Sequence, residues 1–232
     1  MKINGLRWWI IFLVCIATII NYIDRSALGI MWPAMSEDLG LTKEDYAWII
    51  NIFTITYAAG KFISGKIYDK VGTKIGFVLS IFFWSLASVL HFFAKGAASL
   101  GIFRGLLGVS EAGNWPGAVK NNAEWFPVKE RGLAQGIFNS GAAIGSIVAA
   151  PLVSQLFEAY DWRWTFVIIG VLGFLWIIPW LIFNKTKPNN HPWITEEERK
   201  YILEDNSQDL ITNEVTAAIN LAIQLAEMSF NE

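Results

Sequence analysis

Long apolar runs alternate with short polar breaks along this chain, and the runs have the length of membrane crossings. A helix rises 1.5 Å per residue, so the ~30 Å hydrocarbon layer of a bilayer takes ~20 mostly apolar residues. Six stretches reach that length, at about 8–32, 46–66, 75–94, 97–119, 132–157 and 164–183. Pro33, Gly40, Gly72, Gly96, Pro127 and Asp161 fall in the breaks, where helix-ending residues belong. The first run follows Lys2 and Arg7 as a signal peptide would. It is too long for one, holds Asp24 and Arg25, and lacks a small-residue cleavage site, so it reads as a retained helix. The pattern predicts an all-α membrane protein: a six-transmembrane-helix bundle over residues 1–183 and a cytoplasmic tail of amphipathic helices over 184–232. In the tail, Thr195 and Glu198 have capping-box spacing. Ile211, Val215, Ala218, Ala222 and Leu225 recur at helical intervals.

Composition narrows the class further. The 232 residues are 54% hydrophobic before 19 glycines are counted, and 16% charged. A soluble domain is ~45–50% apolar with glycine included and ~25% charged. Disorder is excluded by the same figures, and a disulfide scaffold by the single Cys15. Twelve tryptophans suit the bilayer interface. The net charge of −2 hides an asymmetry, with 14 basic and 11 acidic residues in 1–183 against 4 and 9 in 184–232. Nine basic residues (Lys2, Arg7, Lys66, Lys70, Lys74, Lys129, Arg131, Lys185, Lys187) flank the spans on one side. Three (Lys43, Lys95, Arg163) flank them on the other. The positive-inside rule then puts both termini in the cytoplasm of a cell bounded by a plasma (bacterial inner) membrane. No metal-ligand cluster, paired nucleophile or phosphate loop is present, so the sequence predicts no enzyme, no cofactor and no nucleic-acid partner.

Ionisable groups at membrane depth each cost ~2.5–3.5 kcal/mol even on lenient scales and call for a reason. Asp24 and Arg25 lie in the outer part of the first span, and Arg104 and Glu111 in the fourth. Seven residues separate the last two, close to two turns, so they share a helix face. Gly105, Gly108 and Asn114 share or border that face and permit close approach. One reading makes the four charges buried ion pairs that fix helix register, though such pairs rarely add stability. The other makes Arg25 and Arg104 an anion site, because a guanidinium fork matches a carboxylate bidentately. Asp24 or Glu111 then loads and releases a proton. Tyr22, Asn51, Thr54 and Tyr57 suit either sugar hydroxyls or neighbouring helices. Lys61 is expected to snorkel and His91 to lie at the interface, while Gly141 and Gly145 read as close helix packing.

These residues also carry a resemblance. Gly65-Lys66-Ile67-Tyr68-Asp69-Lys70-Val71-Gly72-Thr73-Lys74 resembles the signature loop of the major facilitator superfamily, and Arg104-Gly105-Leu106-Leu107-Gly108 its span-four motif. Within it, Asn21-Tyr22-Ile23-Asp24-Arg25, Glu111-Ala112-Gly113-Asn114-Trp115-Pro116 and Glu124-Trp125-Phe126-Pro127 resemble the anion:cation symporter family. Gly5-Leu6-Arg7-Trp8 and Ile137-Phe138-Asn139-Ser140-Gly141 are most similar to its hexuronate transporters. The resemblance covers about residues 5–204 and implies one half, two inverted three-helix repeats, of a proton-coupled sugar-acid symporter. It implies substrate binding by Tyr22, Arg25, Tyr57 and Arg104, and proton coupling by Asp24 and Glu111. A conformational loop is implied at Gly65, Asp69, Gly72 and Lys74. The implied partners are a small organic anion, the lipid bilayer, and either a second six-helix half or a second copy, with a proton gradient in place of a cofactor. A homodimerising half-transporter and a non-transporting sensor or scaffold stand as alternatives.

Overall fold

The computed structural model describes residues 2–185, 187–205 and 207. The expected helix over Ile211–Leu225 lies outside them. Six helices follow in order: α1 (Leu6–Leu39), α2 (Lys43–Leu90), α3 (Ala97–Glu111), α4 (Asn114–Trp125), α5 (Val128–Tyr160) and α6 (Trp162–Phe183). A seventh, α7, covers 196–205. The protein is all-helical among the described residues, whose extended pairing is an isolated parallel bridge between Ile3 and Ile194.

The helix ends follow from local chemistry. Gly40, at φ 64°, closes α1 by turning its N–H back to the Ser36 carbonyl. Thr42 opens α2 in a reciprocal capping box with Asp45. Inside α2, Gly72 takes φ 78° and ψ 169°, a conformation that only glycine adopts without strain, so α2 is two helices joined there.

Four described helices are long and apolar enough to cross a membrane: Leu6–Leu39, Lys43–Phe93, Val128–Tyr160 and Trp162–Phe183. The pattern predicts six spans, and the difference has two sources. The second and third predicted spans lie in the one Lys43–Phe93 stretch, on either side of Gly72. The fourth is broken at Ala112–Gly113 into α3 and α4, of 15 and 12 residues, each short of a ~20-residue crossing.

Close backbone approach organises the bundle. α1 lies mainly on α5, and the first half of α2 on α3. A Cβ at Gly141 or Gly145 would stand 2.7 Å from the carbonyl oxygens of Cys15 and Ile19, so the expected tight packing of these glycines is against α1. A Cβ at Gly108 would likewise stand 2.6 Å from the Phe53 carbonyl oxygen, so α3 packs closely on α2 there.

At the end of the bundle that carries Gly72, the segment after α6 folds back over the chain's beginning. The Ile3 N–H donates to the Trp193 carbonyl at 2.7 Å. Thr195 accepts the Glu198 N–H at 3.3 Å, which is one half of the expected capping box. The Glu198 carboxylate does not complete it. It accepts instead from the backbone N–H groups of Leu6 and Arg7, at 3.1 and 3.2 Å, and caps α1. Gly5 offers that helix no side-chain cap, so a distant acid satisfies its open N–H groups.

Candidate functional site

α1 presents Tyr22, Asp24 and Arg25, α3 presents Arg104 and Glu111, and the first half of α2 presents Tyr57. Glu111 is fully buried, and its carboxylate lies 2.6 Å from the Arg25 Nε. The Arg25 guanidinium is held over the Tyr57 ring at 4.3 Å, with Tyr22 and Phe53 at 5.4 and 5.5 Å. Three aromatic faces and one carboxylate thus fix this cation on all but its remaining N–H groups. Its side chain is 21% exposed, so the cage has an open side.

Asp24 points to a different neighbour. The Ser88 hydroxyl from the second half of α2 stands 3.2 Å from the Asp24 carboxylate and 3.2 Å from the Phe166 carbonyl of α6. Arg104 is 2% exposed and lies 5.4 Å from the Phe166 ring centre, within electrostatic range of Asp24 and Glu111. The four charges predicted to meet therefore do so, with Arg25 and Glu111 in direct contact.

Several of their polar atoms have no hydrogen-bond partner: Nε and Nη2 of Arg104, Nη2 of Arg25, Oδ2 of Asp24 and Oε1 of Glu111. The Oδ1 of Asn114 is in the same condition, and the buried Asn21 amide lies beside the Glu111 carboxylate. Buried polar groups are satisfied almost everywhere in proteins, so this concentration is informative. Two guanidiniums keep N–H groups open to a planar oxyanion, beside two carboxylates that each keep one oxygen open.

Other expected residues sit less simply. Thr54 spends its hydroxyl on its own helix, 2.9 Å from the Ile50 carbonyl, and Asn51 is exposed. Lys61 folds its ammonium over Tyr57, 4.8 Å from the ring centre, rather than simply extending away. His91 is not interfacial: it is fully buried, stacked at 4.6 Å on Phe166, with Nδ1 2.8 Å from the Ala87 carbonyl. Ser88 and Phe166 were not singled out in the sequence, because a serine and a phenylalanine in apolar spans carry no distinguishing spacing. Among the described residues no three His, Cys, Asp or Glu side chains gather as a metal site.

The loop residues tie α2 to its neighbours. Asp69 pairs with Lys120 of α4 at 2.7 Å, and Lys120 also donates to the Tyr68 carbonyl at 3.0 Å. Lys74 reaches the Lys185 carbonyl at 2.9 Å. Gly72 supplies the turn, while nothing lies within 4 Å of a Cβ placed on Gly65.

Comparison with known proteins gives the same direction. Residues 14–228 match the Major Facilitator Superfamily. Over 202 residues the chain is 36% identical to the hexuronate transporter of Escherichia coli strain K12, a match covering 87% of this chain and 46% of that one. It is 37% identical to the galacturonate transporter of Dickeya chrysanthemi, over 87% of this chain and 58% of that one. The chain thus spans about half the length of the relatives it matches. A bacterial homologue of the human lysosomal transporter Spinster, solved inward-facing and unoccupied, superposes with a TM-score of 0.69 at 21% identity. That superposition covers 81% of this chain and 45% of the other.

Proposed function

Because the chain belongs to the major facilitator superfamily and is an integral membrane protein rather than an enzyme, we propose that it forms one half of a sugar-acid symporter. Its substrate is a hexuronate or hexonate anion. The two parts of α2, the α3–α4 pair, α1, α5 and α6 make six crossings arranged as two inverted three-helix repeats. The basic end, with both the N-terminus and the segment after α6, faces the cytoplasm.

One observation carries the reading: two guanidiniums, one buried and one half-caged, keep N–H groups unpartnered beside buried carboxylates. A substrate carboxylate bridges Arg25 and Arg104, with Tyr22 and Tyr57 flanking the sugar ring. Charge balance then supplies the coupling. Arg25, Arg104, Asp24 and Glu111 sum to zero when all are ionised. An entering monovalent anion would leave the buried cluster with a net negative charge, which is costly in a low-dielectric site. Protonation of Asp24 or Glu111 restores neutrality, so one proton travels with each anion. Alternating access requires a second six-helix unit. The uncovered face of α5, where Gly136, Ser140, Ala143, Ile147 and Ala150 form one stripe of exposed, mainly small residues, is suited to receive it.

The test is a chimera in which this chain replaces the first half of the Escherichia coli hexuronate transporter. Galacturonate uptake is expected to fall by roughly 100-fold or more on Arg25→Ala and on Arg104→Ala, as for loss of charge-assisted bidentate contacts. Uptake that survives both changes removes the anion site.

A further inference from the structure

Between the two parts of α2 and α3, the bundle surface opens into an apolar groove of about 340 Å³. Ile63 and Ile67 form one wall, Leu79, Phe83 and Leu86 a second, and Leu106 a third. Gly60 sets its depth, since a Cβ there would stand 2.8 Å from the Val109 carbonyl. Three serines also line it, but their hydroxyls are engaged. Ser64 donates to the Lys61 carbonyl at 3.1 Å, Ser110 to the Leu106 carbonyl at 2.7 Å, and Ser80 pairs with the Tyr68 hydroxyl at 3.4 Å. The walls therefore present carbon.

The groove's length and chemistry point to its occupant. Leu79 to Leu90 spans eleven residues of helix, ~16 Å at 1.5 Å per residue. That is about one leaflet of a ~30 Å hydrocarbon layer. An acyl chain of one leaflet has that length and matches walls of carbon.

A charged pocket adjoins the groove across one wall. On the other flank of the Ile63–Ile67 ridge, a shallow pocket of about 210 Å³ is lined by Phe62, Lys66 and Lys70. Both lysines are exposed, and among the described residues neither has an ion-pair or hydrogen-bond partner, unlike Lys74 and Lys120. They stand six and two residues before Gly72, where α2 reaches the headgroup layer in the orientation proposed above, while the groove runs inward from there. We propose that this groove binds an anionic glycerophospholipid, with one acyl chain along α2 and α3 and its phosphate between Lys66 and Lys70.

Native mass spectrometry of the purified chain, equilibrated with equimolar phosphatidylglycerol and phosphatidylcholine, tests this. The wild type should retain one phosphatidylglycerol in roughly tenfold preference, as two lysines near an anionic headgroup provide. Lys66→Gln with Lys70→Gln should bring the two lipids near parity while one lipid stays bound. Leu106→Trp should remove both, and at a half-exposed position the larger ring displaces no buried side chain. The paired change Arg25→Met with Glu111→Leu, which removes both buried charges together, should leave retention unchanged, which separates this site from the sugar-acid site. Equal retention of both lipids by the wild type overturns the proposal. So does an undiminished preference in the glutamine variant, full retention in Leu106→Trp, or a dimer mass in place of the lipid.

Discussion

Two clusters of arginine and carboxylate lie at different depths of the bundle, and they are built on opposite principles. At the Gly72 end, Arg7 is bonded by Nε to Glu130 at 2.8 Å and by Nη1 to Glu198 at 2.7 Å. Its Nη2 reaches Glu130 at 3.3 Å, and Glu198 takes two further backbone N–H groups of α1. In the membrane interior, Arg25 and Glu111 share one short contact, and each keeps a buried polar atom without a partner. Arg104 keeps two. A saturated cluster fixes the chain in one arrangement. An unsaturated one holds hydrogen-bonding capacity in reserve, which a ligand, a proton or a water can use.

The sharpest break in the comparison is functional. In the chimera, Glu111→Gln should abolish uphill galacturonate accumulation while substrate exchange continues, because a neutral amide cannot cycle a proton. Glu198→Gln keeps its size but only one of the two acceptor oxygens that Leu6 and Arg7 use, and it should change uptake less than about twofold, since it touches no substrate. Concentrative uptake that persists in Glu111→Gln would reject the proton role.

Stability should separate the clusters next. Arg25→Ala leaves Glu111 buried without its cation, a loss of about 3–5 kcal/mol when one partner of a buried pair is removed. The double change Arg25→Met with Glu111→Leu removes both charges and should recover most of that in thermal unfolding, without restoring transport. Glu198→Ala has a milder effect. Arg7 still holds Glu130, so the cost is chiefly that of a lost helix cap, about 1–2 kcal/mol. If Glu198→Ala proves the more damaging of the two, the saturated cluster carries more of the fold than its geometry indicates.

What the sequence made legible follows the same division. Apolar run length located the helices, and the seven-residue spacing of Arg104 and Glu111 placed both on one face. Four charges in apolar spans marked the candidate cluster. The pairing was not legible, because Asp24, Ser88 and Phe166 meet from helices far apart in the chain, and spacing within one helix says nothing about its neighbours. Glu198 is instructive: its position three residues after Thr195 predicts a local cap, and tertiary contact sends its carboxylate to α1 instead. His91 was misplaced for a related reason. Near a predicted span end a histidine reads as interfacial, yet the packing of Phe166 and Phe103 around it closes the site to solvent.

The smallest effect concerns pH at the saturated end. His191 packs its ring near Trp125, 5.4 Å between centres, bonds the Phe183 carbonyl through Nε2 at 3.0 Å, and accepts the Trp193 N–H at 3.2 Å. Burial holds its imidazole below the ordinary range, and Lys185, Arg199 and Lys74 push the same way. The unfolded segment therefore binds a proton at ~6.5 that the folded one refuses. Stability from this group is present above that pH and declines as pH falls below it, because the unfolded state carries more protons. Hydrogen exchange at the Ile3 amide, which donates to the Trp193 carbonyl, should lose protection between pH 7 and pH 5, slowing less than the intrinsic rate does. His191→Gln should flatten that loss while leaving Arg25 and Glu111 untouched. An identical pH profile in wild type and variant would mean that His191 does not couple the fold-back after α6 to pH.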